Sequence, residues 1–282
     1  MVYYFLIVIA TIFFSLQVLF NKKYLQISGD GLSSAIIFSL GTNATICIIM
    51  AIFNKGKIEF SLFSFLIAIV NAFVNIAFTY CTVRALIHTN ISTYTMFTVS
   101  GGMLLPFIGG ILIWSESLTI WKIICCLLIL TALFLNTSRG NKKSDNRYYF
   151  FVFALNGLAG MLQKWHQSMS SVNISSTGYL MLYSFVVVII SAALLMLLKD
   201  KKVMPDKPNI ACMAGFGMVN GLGTLIVLVS LVHLPASVQY PMVTGGVLIA
   251  STLLTIILRE KIRKQSIAAV FLAFIAVMLV AL

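Results

Sequence analysis

The sequence predicts an all-α polytopic membrane protein of ten transmembrane helices, arranged as two inverted five-helix repeats. Three observations lead there. Of the 282 residues, 60% are hydrophobic and only 9% carry charge, against roughly 25% in a soluble domain. Long apolar runs alternate with short polar breaks along the whole chain. Polar residues of the first half recur, in order and at matching depths, in the second half. No soluble core could hide this much apolar surface, so lipid is expected to solvate most of the chain.

A spanning helix needs about 20 mostly apolar residues. The first run, about 2–20, has no basic segment before it and no small-residue cleavage site. It reads as a retained span rather than a signal peptide. After "NKKYLQISGDG" the second run covers about 32–53, and after "NKGKIEF" the third covers about 61–84. The fourth, about 91–113, holds the pair Gly101 and Gly102; the fifth covers about 119–137. The basic stretch "SRGNKKSDNR" then separates the halves. The remaining runs are about 148–167, 177–198, 209–231, 236–258 and 264–282, with "KDKKVMPDKPN" before the eighth. Breaks this short leave no room for a soluble catalytic head. The organisation is therefore a first repeat over 1–138, a basic linker over 139–147 and a second repeat over 148–282.

The repeat rests on polar matches, since any two membrane helices share apolar ones. A shift of 145 sets Asn75 on Asn220, Thr79 on Thr224, His88 on His233 and Ser92 on Ser237, and earlier Ser39 on Ser184. A shift of 142 pairs Asn21 with Gln163 and Lys22 with Lys164. "TVSGGMLLPFIGGILIWSESLT" (98–119) returns as "MVTGGVLIASTLLTIILREKIR" (242–263), so Gly101 and Gly102 match Gly245 and Gly246, and Glu116 matches Glu260. Five spans is an odd number, so the second copy must enter the membrane from the opposite side. Inverted repeats of this kind are common in secondary transporters, with the substrate site near the midplane.

These features resemble the drug/metabolite transporter superfamily, EamA-like branch. The likeness lies in the five-plus-five arrangement and in a Gly-rich fourth helix of each half running into a Glu-containing turn. The family turn reads Gly-Glu-x-hydrophobic-Thr/Ser; here the turns are "SESLT" (115–119) and "REKIR" (259–263), without the Gly. "LVHLPASVQYPM" (231–242) matches the family's Pro-Ala-Ser entry to the ninth helix. The resemblance implies ten helices and transport of small organic solutes, with cytoplasmic termini.

Asn, Gln and charged residues are costly within a bilayer and mark cavities or interhelical bonds. Asn71, Asn75 and Thr79 share one face of the third span at spacing four, as Asn220 and Thr224 do on the eighth. Two inverted stripes could be opposing walls of one cavity or an interhelical hydrogen-bond zipper. Gln239 and Tyr240 precede Pro241, whose missing N–H frees a backbone carbonyl. The fourth-helix counterpart supplies Tyr94 and Thr95, and Tyr80, Tyr183 and Trp165 add aromatic faces that serve either a ligand or an interfacial anchor. Lys164 either snorkels to the headgroups or binds a carboxylate at a cavity mouth. The substrate-cavity set is thus Asn75, Thr79, Tyr80, Tyr94, Lys164, Trp165, Asn220, Thr224, Gln239 and Tyr240. The glycine pairs are expected to pack helices closely. Glu116 and Glu260 follow directly on their spans and are expected to cap the next helix.

Other chemistries find no foothold. The net charge of +12 comes from clusters between apolar runs, which is membrane-loop patterning and no nucleic-acid surface. Cys47, Cys81, Cys125, Cys126 and Cys212 lie in apolar runs, suggesting neither a disulfide framework nor a metal site. No catalytic constellation or cofactor motif occurs, so an enzyme is not expected. None of the seven Asp and Glu lies inside a run, which disfavours proton exchange for a cation and points to neutral or zwitterionic substrates. Fifteen of the 19 Lys and Arg fall in the odd-numbered breaks, putting those inside and both termini outside. That orientation is opposite to the one the resemblance implies. The expected function is a secondary transporter or facilitator, such as an exporter of amino-acid-like solutes in the cell membrane. The alternative is a non-transporting membrane scaffold or partner subunit.

Overall fold

The computed structural model describes residues 2–28, 31–88, 91–136, 146–169, 171–198, 206–257 and 264–280. Among these the chain is helical throughout, with ten helices: α1 (Val2–Ser28), α2 (Leu32–Phe53), α3 (Leu62–His88), α4 (Ile91–Leu112), α5 (Ile120–Asn136), α6 (Asn146–Ser168), α7 (Ser176–Leu198), α8 (Lys207–Leu231), α9 (Ala236–Ile257) and α10 (Lys264–Val280). The basic linker lies largely outside the described residues.

Six helices, α1, α2, α3, α7, α8 and α9, are long and apolar enough to cross a membrane. They make this a multi-pass membrane protein. Shorter apolar stretches lie in α4 (Phe97–Leu112), α5 (Ile120–Leu135) and α10 (Ile267–Leu279). α6 departs most from the ten expected spans. Its length suffices, but Asn156, Gln163, Lys164, His166 and Gln167 make it too polar to face lipid on all sides. Packing resolves this, because Lys164, His166 and Gln167 are buried against neighbours. On the outer surface, Leu62, Leu66, Val70 and Phe73 form one exposed apolar stripe of α3, and Phe185, Ile189 and Met196 one on α7. Such stripes suit a lipid solvent.

Most of the helix packing joins the two halves of the chain. α1 packs on α8 and α9, α2 on α7 and α8, α3 on α6 and α7, α4 on α6 and α9, and α5 on α10. The largest core cluster accordingly mixes Ile46 and Met50 of α2 and Ala68 of α3 with Tyr179 of α7, Leu228 of α8 and Tyr240 of α9. A second joins Met103 and Phe107 of α4 and Ile129 of α5 to Val238 and Met242 of α9. The halves are interleaved, and neither buries its own core alone.

The glycine pairs permit this interleaving. A Cβ on Gly101 would run into the backbone of Phe153, and one on Gly157 would lie 2.6 Å from the Gly101 carbonyl, so α4 and α6 touch backbone to backbone. Gly102 faces Asn156, whose Nδ2 donates to the Thr98 carbonyl at 2.7 Å. In the other half Gly245 sits against Val277 of α10 and Gly246 against Thr11 of α1. Lipid tails are as apolar as leucine, so close van der Waals approach carries much of the association.

Replacing Gly101 with Val should therefore lower thermal stability in detergent by an overpacking cost of about 1–3 kcal/mol. Gly31→Ala, with open space around the added methyl, should lose less, at most the roughly 1 kcal/mol of a weaker N-cap on α2. Equal melting temperatures for the Gly101 variant and wild type would contradict the α4–α6 contact.

Candidate functional site

Polar contacts join the α2–α3, α4–α5, α6–α7 and α8–α9 turns on one face of the bundle, here called the even-turn face. On it, polar side chains of the first half reach repeatedly into the second. Ser61 donates to the Val172 carbonyl, Trp114 Nε1 to Ser168 Oγ at 3.1 Å, and Thr177 Oγ1 to Asn54 Oδ1 at 2.9 Å. The rings of Tyr3 and His233 stack at 4.1 Å.

Glu116 binds two helices of the second half there. Its Oε1 accepts the backbone N–H of Ala236 at 2.7 Å, and its Oε2 that of Ser237 at 2.8 Å. Lys164 Nζ lies 3.5 Å from Oε1, the two side chains being 11% (Lys) and 9% (Glu) exposed. The same ammonium donates to the Leu231 carbonyl at 3.3 Å. Glu116 is thus a helix cap, but of α9 rather than of the following α5. The reason is geometric: α4 packs on α9, so the turn leaving α4 lands on the start of α9. Lys164 likewise does not snorkel but turns inward to the carboxylate. Ser115, immediately before Glu116, is held at φ 51°. That left-handed conformation is one that glycine adopts most readily.

Glu59, in the α2–α3 turn, acts on α7 through Ser175, whose hydroxyl accepts the Gly178 N–H at 3.1 Å. It accepts the N–H and the hydroxyl of Ser175, both at 2.8 Å. Burial by itself would raise both carboxyls. For Glu59, hydrogen bonds from Ser175 and Asn54 and the charge of Lys57 outweigh it and hold the group below the ordinary carboxylate range. For Glu116, hydrogen bonds from Ser237 and Ala236 and the Lys164 charge do so.

Below this face lies a buried polar cluster that sequence reasoning assigned only in part. His166 is fully buried, stacks on Tyr179 with centroids 3.9 Å apart, and shares a 2.9 Å hydrogen bond with Ser64 through Nε2. Asn71 Nδ2 donates to the Tyr179 hydroxyl at 3.2 Å. The periodicity placed Asn71 on the polar stripe; nothing in the sequence linked it to His166 and Tyr179, which come from other helices.

The residues expected to line a cavity meet different fates. Gln239 is fully buried and donates to the Val227 carbonyl at 2.7 Å, while the Tyr240 hydroxyl donates to the Gly160 carbonyl at 2.8 Å. Those two and Lys164 hold helices together in this conformation. Asn75, Thr79, Asn220 and Thr224 are half-buried on α3 and α8, Thr79 Oγ1 donating to its own helix at the Asn75 carbonyl. Tyr80 and Trp165 are exposed, Trp165 packing edge-on against Phe63. Glu260 and the side chains of Tyr94 and Lys22 lie outside the described residues. The Oδ1 of Asn71 and the Oε1 of Gln239 have no donor among the described residues.

Comparison with known proteins bears on the fold alone. No family model matches the chain, and no curated protein does. Among solved structures, one described only as "Crystal structure of protein" superposes with a TM-score of 0.75 at 12% identity. It covers 98% of this chain and 95% of its own. The whole ten-helix arrangement is therefore one that proteins adopt.

Because both capping carboxyls are lowered, their stabilisation is complete above the ordinary carboxylate range and lost as pH falls through the lowered values. Melting temperature should thus fall on acidification from neutral pH. Glu116→Gln should cost about 0.5–2 kcal/mol at neutral pH and flatten that acid dependence. A variant whose pH profile coincides with wild type would contradict the assignment.

Proposed function

We propose that this chain is a secondary transporter of small organic metabolites, of the drug/metabolite transporter kind, working by alternating access between two inverted five-helix repeats. The observation that carries this reading is the exchange pattern of helix partners. A two-fold relating α1–α5 to α6–α10 turns the α1 contacts with α8 and α9 into the α6 contacts with α3 and α4. It turns α2 on α8 into α7 on α3, and maps α2–α7, α4–α9 and α5–α10 onto themselves. The close contacts follow it to within one residue: Gly101 meets Phe153, and Gly246, the neighbour of its match Gly245, meets Thr11, which the 142-residue shift pairs with Phe153. Within that symmetry α3 and α8 are equivalent, and their half-buried Asn75, Thr79, Asn220 and Thr224 are the groups best suited to meet a solute at the repeat interface.

Neutral or zwitterionic solutes fit this chemistry. The described spans contain no carboxylate, and the ammonium of Lys164 is already neutralised by Glu116. The Lys and Arg distribution favours extracytoplasmic termini in the cell membrane, which would make the even-turn face the outer one. A reporter active only in the cytoplasm, fused after Leu282, should then stay silent; activity would reverse the orientation.

Transport is tested by purified protein in vesicles, screened for uptake and efflux of amino acids and other small neutral or zwitterionic solutes. At least one solute should move in protein-dependent fashion, and Asn75→Leu or Asn220→Leu should slow it at unchanged yield. A folded protein that moves none of them, or Leu variants as fast as wild type, would contradict the reading.

A further inference from the structure

Glu116 does more than a helix cap requires. A cap needs one acceptor for one or two free N–H groups; here a single carboxylate binds two elements of the opposite half at once. It takes the Ala236 and Ser237 N–H groups at the start of α9 and the Lys164 ammonium of α6. Its own turn is drawn down onto Gly110, where a Cβ would lie 2.6 Å from Oε2, so the end of α4 is shaped to let the carboxylate in. Glu59, by contrast, joins its turn to the α7 start alone. The sequence repeats the whole set: Glu116, Lys164 and Ser237 match Glu260, Lys22 and Ser92.

Resting on the transport reading above, we infer that Glu116 is the latch of the even-turn face. Its carboxylate pins the α4–α5 turn to α9 and α6, and its release lets the two halves part and opens the polar faces of α3 and α8 to that side. A charge-assisted contact of this kind is strong because it is mostly shielded from water. It is also reversible, since each partner regains hydration when the face opens.

The test is a distance measurement between nitroxide labels at Leu118 and Val232, which are exposed on the α4–α5 and α8–α9 turns. Cys47, Cys81, Cys125, Cys126 and Cys212 are replaced with Ala in this background. Glu116→Gln and, independently, Lys164→Met should each raise the ratio of long- to short-distance populations about tenfold, the effect of losing a charge-assisted contact. Glu59→Gln should lower stability without that shift. Should Glu116→Gln fail to fold, Lys164→Met decides alone, because it leaves both cap hydrogen bonds in place. Folded variants with unchanged distances overturn the latch and leave Glu116 a structural cap. Uptake in the same variants separates the two claims. Shifted distances in a protein that moves no solute uphold the latch and remove transport, whereas transport with unshifted distances removes the latch alone.

Discussion

The arrangement of the even-turn face depends on where the free N–H groups at the starts of α7 and α9 find acceptors. A helix start leaves up to four such groups unsatisfied, and water reaches them only at the membrane surface. In this protein Glu116 of the first half supplies them directly for α9, while Glu59 holds Ser175, whose hydroxyl accepts the Gly178 N–H of α7. The local need of each helix end is thereby converted into a bond between the halves. Each carboxylate sits against a glycine, Gly110 for Glu116 and Gly178 for Glu59, so the packing around them is built for these groups.

The same economy explains α6. A helix with this many polar residues is unsuited to lipid, yet here it is enclosed by helices of the first half that accept its polar side chains. His166 meets Ser64 of α3, Asn156 meets the backbone of α4, and Lys164 meets Glu116. Polar groups on one helix answer polar groups on another, while the lipid-facing sides of α3 and α7 stay apolar. Close approach through Gly101 and Gly157 then brings α4 and α6 near enough for these short bonds to form.

Much of the fold was legible in the sequence because hydropathy marks helices directly. The expected runs and the observed helices agree in number and closely in position, with α1 extending beyond its apolar run through Asn21 and Lys23. The site was less legible. Pattern and periodicity placed Asn71 on a polar face but could not tell which helix it would meet. That partner, Tyr179, comes from a helix 108 residues away. Glu116 was recognisable as a cap from its position after a span. Its target, α9 rather than α5, followed only from the packing of α4 on α9.

The central claim is that α3 and α8 border one central space that water and solute enter. Single cysteines at Asn75 and Asn220, in a background without the native cysteines, test it most directly. The account predicts that a membrane-impermeant thiol reagent labels both, and that a transported solute slows labelling at both together. Labelling of neither, while a cysteine at exposed Val232 reacts fully, would contradict it.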